Sequence, residues 1–406
     1  MKRILYWLAA VTLVIVLLFV VLFTWRPELV RVLRYQSPDA NTYKIFPQAI
    51  IQPSDAAFHF VKAAANRDDL DTIQVLNWKN ESVPFTTYLK DGKANLFMVI
   101  RNDTIIYQKF APGYSDTTLT TLFSVAKTMV SMLTGEALAS GKIKNLDDHL
   151  TQYVPELKNN PAFNQITLRN LLEMKSGLEF KDVYGGIIAA FLSDEAKYYY
   201  TEDIKKELLQ VKLANKPGTV WKYKSIDAFL LTWALENATG QKAATYFQDE
   251  IWKKIGTAYP ASFGLDHPDG FANTASRFQS TAIDLAKLGR LYLNKGRYNG
   301  NQVIPEQWVN QSVNLGKEET PANAKGWQKS AHHYLWWVPQ QGVTGDYAAE
   351  GMRGQRLYID PLTHTIIVQF SEKGAGGYPF RKVSRYLSGL PFTYPKNPPL
   401  ESAISQ

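Results

Sequence analysis

The period of apolar and polar positions changes several times along the chain, and those changes mark its elements. Ile4 to Trp25 is an unbroken run of 22 uncharged, mostly apolar residues. Asn95 to Phe110 instead alternates on either side of Arg101-Asn102-Asp103 and predicts a β-hairpin. From Ser124 to Ser140 the sequence is apolar on most sides of a helix, the pattern of a central one, and Gly141 stops it. Thr167 to Met174 reads as a short helix with Thr167 as its N-cap and Ser176-Gly177 as its end. Residues 181–215 are polar and Tyr-rich, a helical or loop insertion. Pro217-Gly218 then turns the chain into Trp221-Lys222-Tyr223-Lys224-Ser225, and an apolar helix follows from Ile226 to Asn237, closed by Gly240. Ser280 to Leu293 is amphipathic. The last third returns to strands at Tyr334–Val338, Gln355–Ile359 and Thr365–Phe370, with a turn at Asp360–His364. Strands at both ends with helices between them predict an α+β fold, its antiparallel sheet assembled from the two ends of the domain beside a mainly helical lobe.

At about 1.5 Å per residue the N-terminal apolar run reaches ~33 Å, enough for a hydrocarbon core of ~30 Å. It is longer than the core of a cleavable signal, and no small-residue cleavage site follows it. Residues 4–25 are therefore expected to be a transmembrane signal anchor, 26–87 a juxtamembrane lead-in, and 88–395 the large folded domain. On that reading the protein sits in a bacterial inner membrane with its large domain on the periplasmic side. Lys2 and Arg3 before the run are balanced by Arg26, Arg31 and Arg34 after it, so charge does not settle the orientation.

Composition narrows the chemistry. The chain is 45% hydrophobic and 20% charged, a globular balance. It has no cysteine, which excludes disulfides, thiolate metal sites and thiol catalysis. The net charge of +8 is spread without a dense basic run, so nucleic acid is not an expected partner. The six histidines (59, 149, 267, 332, 333 and 364) lack metal-ligand spacing, and the adjacent pair His332-His333 would point to opposite faces of a strand. Gly374-Ala-Gly-Gly377 does not open a helix after a strand, and no G-x-S-x-G elbow exists. No metal or cofactor is called for.

Ser124-Val125-Ala126-Lys127 is the one place where a lysine follows a serine by three positions. In a helix, residues three apart share a face. A hydroxyl is a poor nucleophile until a base takes its proton, and an amine can be that base if burial disfavours its ammonium form. Phe123, Val125, Ala126, Met129, Val130, Met132 and Leu133 supply apolar surroundings. Tyr223 in the Trp221–Ser225 turn is a candidate for proton transfer. An oxyanion hole needs two donors: the Ser124 N–H at its helix start, and a strand edge such as Gly351-Met352-Arg353-Gly354-Gln355. There Gly354 permits close approach, Gln355 offers an N–H, and Arg353 could hold a substrate carboxylate.

With those residues the chain resembles the penicillin-recognising serine hydrolases: class C β-lactamases, D-alanyl-D-alanine carboxypeptidases, related esterases and 6-aminohexanoate-dimer hydrolases. The resemblance spans about residues 88–390. It rests on Phe-Ser124-Val-Ala-Lys127, on Tyr223-Lys-Ser225 at the family's Tyr-x-Asn/Ser position, and on Arg353-Gly354-Gln355 at its Lys-Thr-Gly position. Ile143–Asp148, Val154–Leu157, Ile166–Leu178, Thr281–Gly289 and Val303–Trp308 support it. The resemblance implies a β-lactamase-like fold and an acyl-enzyme route to a small amide or ester. Ser124 would be nucleophile, Lys127 base, Tyr223 a proton-transfer group and Ser225 a polar partner. Ser225 in place of Asn, and Arg-Gly-Gln in place of a lysine motif, point to the esterase and aminohexanoate-hydrolase branch rather than to β-lactam hydrolysis. The competing class is a non-catalytic sensor or wall-binding module on the same fold. Substrate and oligomeric state are not legible.

Overall fold

The computed structural model describes residues 2–25, 27–77, 79–181, 183, 191–315, 330–339, 345–374 and 379–392. Tyr184, in the Tyr-rich 181–215 stretch, lies outside them. Residues Lys2–Trp25 form a helix, α1, but here the structure corrects the sequence. Among the described residues no helix is long and apolar enough to cross a membrane. That finding overturns the expected transmembrane anchor at 4–25 and the single-pass periplasmic location, and leaves the membrane partnership unsupported.

Packing also continues across the boundary expected near residue 88. A second helix, α2 (Pro27–Tyr35), buries Val32 in a cluster with Phe46, Phe123, Tyr199 and Tyr200. A strand at Gln48–Ile51 pairs with Ala261–Gly264 in a four-stranded sheet completed by Phe278–Ser280 and Thr120–Thr121.

The main sheet has eight strands: β1 (Val61–Lys62), β2 (Ala94–Arg101), β3 (Thr104–Phe110), β4 (Ser330–His333), β5 (Trp336–Pro339), β6 (Tyr347–Gly351), β7 (Gln355–Asp360) and β8 (Thr365–Ser371). Their order is β4-β5-β6-β7-β8-β2-β3-β1. All pairs are antiparallel except β1 with β3. The two ends of the domain meet where β8 lies on β2, with Thr365 opposite Arg101 and Gln369 opposite Phe97. Both faces of β2 are covered: Leu96, Met98 and Ile100 join the large core, and Phe97 and Val99 join a second. That is why β2 reads as a continuous apolar run rather than a strict alternation.

The helical lobe centres on α3 (Ala126–Ala139) and α4 (Ser225–Thr239), whose facing side chains are almost all buried. Helix α5 (Ala282–Leu293) lies on β7 and β8, where a Cβ on Gly289 would stand 3.0 Å from Leu357 and Ile366 atoms. On the opposite face, α6 (Phe380–Ser388) seats Phe380 and Val383 against Phe97, Tyr358 and Ile367.

One predicted strand divides. Tyr334–Val338 is not continuous: Tyr334 (φ 43°) and Leu335 (φ 66°) form the left-handed turn between β4 and β5. Two-residue hairpin turns favour Asn and Gly at such angles, and neither residue type announces this one. Its closure sets His332 directly opposite Trp337.

Candidate active site

Ser124 sits in a single 3-10 turn, Phe123–Val125, that feeds α3. Phe123 before it is left-handed (φ 48°), a strained conformation for a bulky residue. The aromatic cluster from α2, Phe46 and Tyr199–Tyr200 holds its ring in place. The Ser124 hydroxyl that follows lies on the side of Lys127. The Lys127 ammonium donates to Ser124 Oγ at 3.0 Å and to the Ala275 carbonyl at 2.8 Å. It lies 5.0 Å from the centre of the Tyr223 ring. The side chain is 1% exposed, and among the described residues no carboxylate pairs with it. A buried amine with only neutral acceptors has no counter-charge to offset its desolvation.

Tyr223 is carried on a turn tied to the chain at 174–180. Lys222 N–H donates to the Met174 carbonyl at 3.0 Å, Gly218 N–H to that of Lys175 at 2.8 Å, and the Lys222 ammonium bonds the Phe180 carbonyl. Beneath the turn lies a polar knot that sequence reading missed. Lys224 Nζ donates to Ser176 Oγ at 2.9 Å, and Ser176 Oγ donates to Asp227 Oδ1 at 2.6 Å. Burial raises the Asp227 carboxyl to about 6 against the pull of Lys224, and burial lowers Lys224. The only hint in sequence was the Lys224–Asp227 spacing across the start of α4. Ser225 opens α4 fully buried, and its Oγ has no partner among the described residues. It therefore makes no hydrogen bond to Lys127.

The strand edge takes a different register from the expected one. A Cβ on Gly354 would meet Ser371 Oγ at 2.7 Å and Gly374 Cα at 2.9 Å. The glycine that lies against the Ser124 turn is Gly351, where a Cβ would stand 2.2 Å from the Leu122 carbonyl oxygen. Close approach thus falls at the end of β6, three residues before Gly354, and Met352 packs with Phe123. Gln355 faces inward, its Nε2 donating to the Ser371 carbonyl at 2.6 Å. Arg353 is left-handed (φ 63°), and its guanidinium donates to the carbonyls of Pro38 at 2.7 Å and Glu372 at 2.8 Å. Arg353 staples the 37–38 segment instead of presenting a free fork for a carboxylate.

His332 and Trp337 complete the surroundings of Tyr223, and neither was singled out from sequence as a site residue. The Tyr223 ring stacks on Trp337 (6.0 Å, 21°) and meets His332 edge-on (5.2 Å, 85°). Burial, reinforced by the Lys127 charge, lowers the His332 imidazole to about 3. His333 faces the other way, its Nε2 3.0 Å from the Gln311 carbonyl.

A two-ended antiparallel sheet beside a helical lobe, with a serine–lysine pair at the head of a central helix, defines a β-lactamase-like serine hydrolase. The β-lactamase family model matches residues 92–386, and the chain belongs to that family. It is 23% identical over 301 residues to the 6-aminohexanoate-dimer hydrolase of Paenarthrobacter ureafaciens, covering 70% of this chain and 74% of that one. A solved structure, "Putative 6-aminohexanoate-dimer hydrolase from Bacillus anthracis", superposes with a TM-score of 0.74 at 24% identity, covering 87% of this chain and 94% of that one. A family VIII carboxylesterase gives 0.54 at 15% identity, with coverage of 75% and 94%. The protein is a β-lactamase-related hydrolase of amides or esters.

Proposed function

We propose that the protein cleaves a small amide or ester through an acyl-enzyme on Ser124. The observation that carries this reading is the desolvated Lys127 amine 3.0 Å from Ser124 Oγ. In the neutral form that amine takes the hydroxyl proton as Oγ attacks the substrate carbonyl. The resulting oxyanion is received by the Ser124 N–H and by the strand edge at Gly351-Met352, which takes the place earlier given to Gly354-Gln355. Tyr223, beside Lys127, passes the proton to the departing amine or alcohol. Water then attacks the acyl carbonyl and frees Ser124. Because Arg353 is occupied by backbone carbonyls, a substrate carboxylate has no guanidinium clamp there. The preferred substrate is therefore an ester or linear amide, not a β-lactam.

The test is covalent. A fluorophosphonate should label Ser124, and Ser124→Ala should abolish labelling and lower ester turnover by at least ~10³-fold. Short-chain p-nitrophenyl esters and D-amino-acid peptides should outrun nitrocefin. Folded protein that resists the probe, binds ligand and releases no product would favour the non-catalytic module.

A further inference from the structure

We infer that His332, paired across the β4–β5 hairpin with Trp337, is a positioning residue that holds the Tyr223 ring in its working orientation. The inference rests on the Ser124–Lys127–Tyr223 reading. The Lys224–Ser176–Asp227 knot and the Met174 and Phe180 bonds fix the backbone of the Tyr223 turn. They leave the ring's own torsions free. His332 and Trp337 restrict those torsions from two directions, one edge-on at 85° and one nearly parallel at 21°. The two clamping rings also touch one another, 5.0 Å apart at 76°. Aromatic pairs favour these edge-to-face and offset arrangements.

The clamp acts through the aromatic ring of residue 332 and not through its nitrogens. His332 is 5% exposed, and its Nδ1 has no hydrogen-bond partner among the described residues. Burying an unpaired ring nitrogen is unfavourable, and a phenylalanine would fill the same space without that penalty. Beside the Lys127 ammonium the imidazole stays neutral, so it does not carry the proton. What it supplies is an edge-to-face contact with the phenol-bearing ring, over which the Lys127 ammonium also lies. A lateral error of about 1 Å in such a group costs of the order of 10²-fold in rate.

The experiment is a double-mutant cycle on the full chain, read by the rate of fluorophosphonate labelling of Ser124. His332→Ala should lower the maximal labelling rate about 10- to 100-fold with little change in probe affinity, and His332→Phe should recover most of it. In a Tyr223→Phe background, His332→Ala should add almost nothing. Trp337→Leu serves as the second probe of the clamp if His332→Ala does not fold. Equal losses with and without the Tyr223 hydroxyl, or a Phe variant as slow as the Ala variant, would overturn the inference. A parent that is not labelled, or a Tyr223→Phe protein as fast as the parent, would sink the underlying reading instead.

Discussion

Ser124 is flanked by one residue of unusual backbone conformation and by one glycine in unusually close approach. Phe123 is left-handed under an aromatic cluster, and Gly351 comes so near Leu122 that a methyl group would overlap its carbonyl at 2.2 Å. Gly351→Ala must push β6 away from the Ser124 turn. A displaced oxyanion donor should lower turnover by about 10²- to 10³-fold, with probe binding weakened far less; full activity in that variant would return the donor to Gln355. A second prediction concerns acid. The His332 pKa falls from 6.5 to about 3 on folding, so between those values the unfolded chain holds more protons than the folded one. The stability conferred by neutral His332 is present above pH 6.5 and lost as pH falls toward 3. Between pH 7 and 4.5 the melting temperature of the parent should therefore fall several degrees further than that of His332→Phe. Parallel curves would refute it.

Among the elements, the two hairpins show what local chemistry can announce. The β2–β3 turn uses Asn102 and Asp103 at φ 49° and 58°, residue types that tolerate such angles, and it was visible in sequence. The β4–β5 turn uses Tyr334 and Leu335 and was read as strand. Tertiary contacts stabilise it: both residues are buried, and the Leu335 carbonyl accepts from Thr128 Oγ1 on α3 at 3.1 Å. The short helix at Leu168–Leu172 belongs with the legible group. Thr167 Oγ1 accepts from Asn170 N–H at 3.2 Å, and Asn170 Oδ1 accepts from Thr167 N–H at 3.1 Å. Thr167→Ala should cost about 1 kcal/mol in denaturant unfolding while leaving Ser124 labelling per folded molecule unchanged.

At the scale of the whole molecule, the segment between α1 and β1 is part of the site's foundation. Phe46 packs under Phe123, Thr121 Oγ1 donates to the Ala40 carbonyl at 3.1 Å, and Arg353 reaches Pro38. A fragment beginning at residue 27 should fold and react with the probe. One beginning at residue 53 loses α2, Phe46 and the Gln48–Ile51 strand, and should lose labelling together with cooperative melting. If the shorter fragment stayed active, the foundation role would be wrong. Sequence alone determined the α+β class, the helix with its serine and lysine one turn apart, and the loop bearing Tyr223, because each depends on residues near one another in the chain. Only the tertiary structure decided that Gly351 rather than Gly354 meets the Ser124 turn, that Arg353 is spent on residues 37–38, and that His332 and Trp337 flank Tyr223. Those pairings join residues about 100 to more than 300 positions apart, and contacts so distant in the chain leave no periodic trace in any one segment.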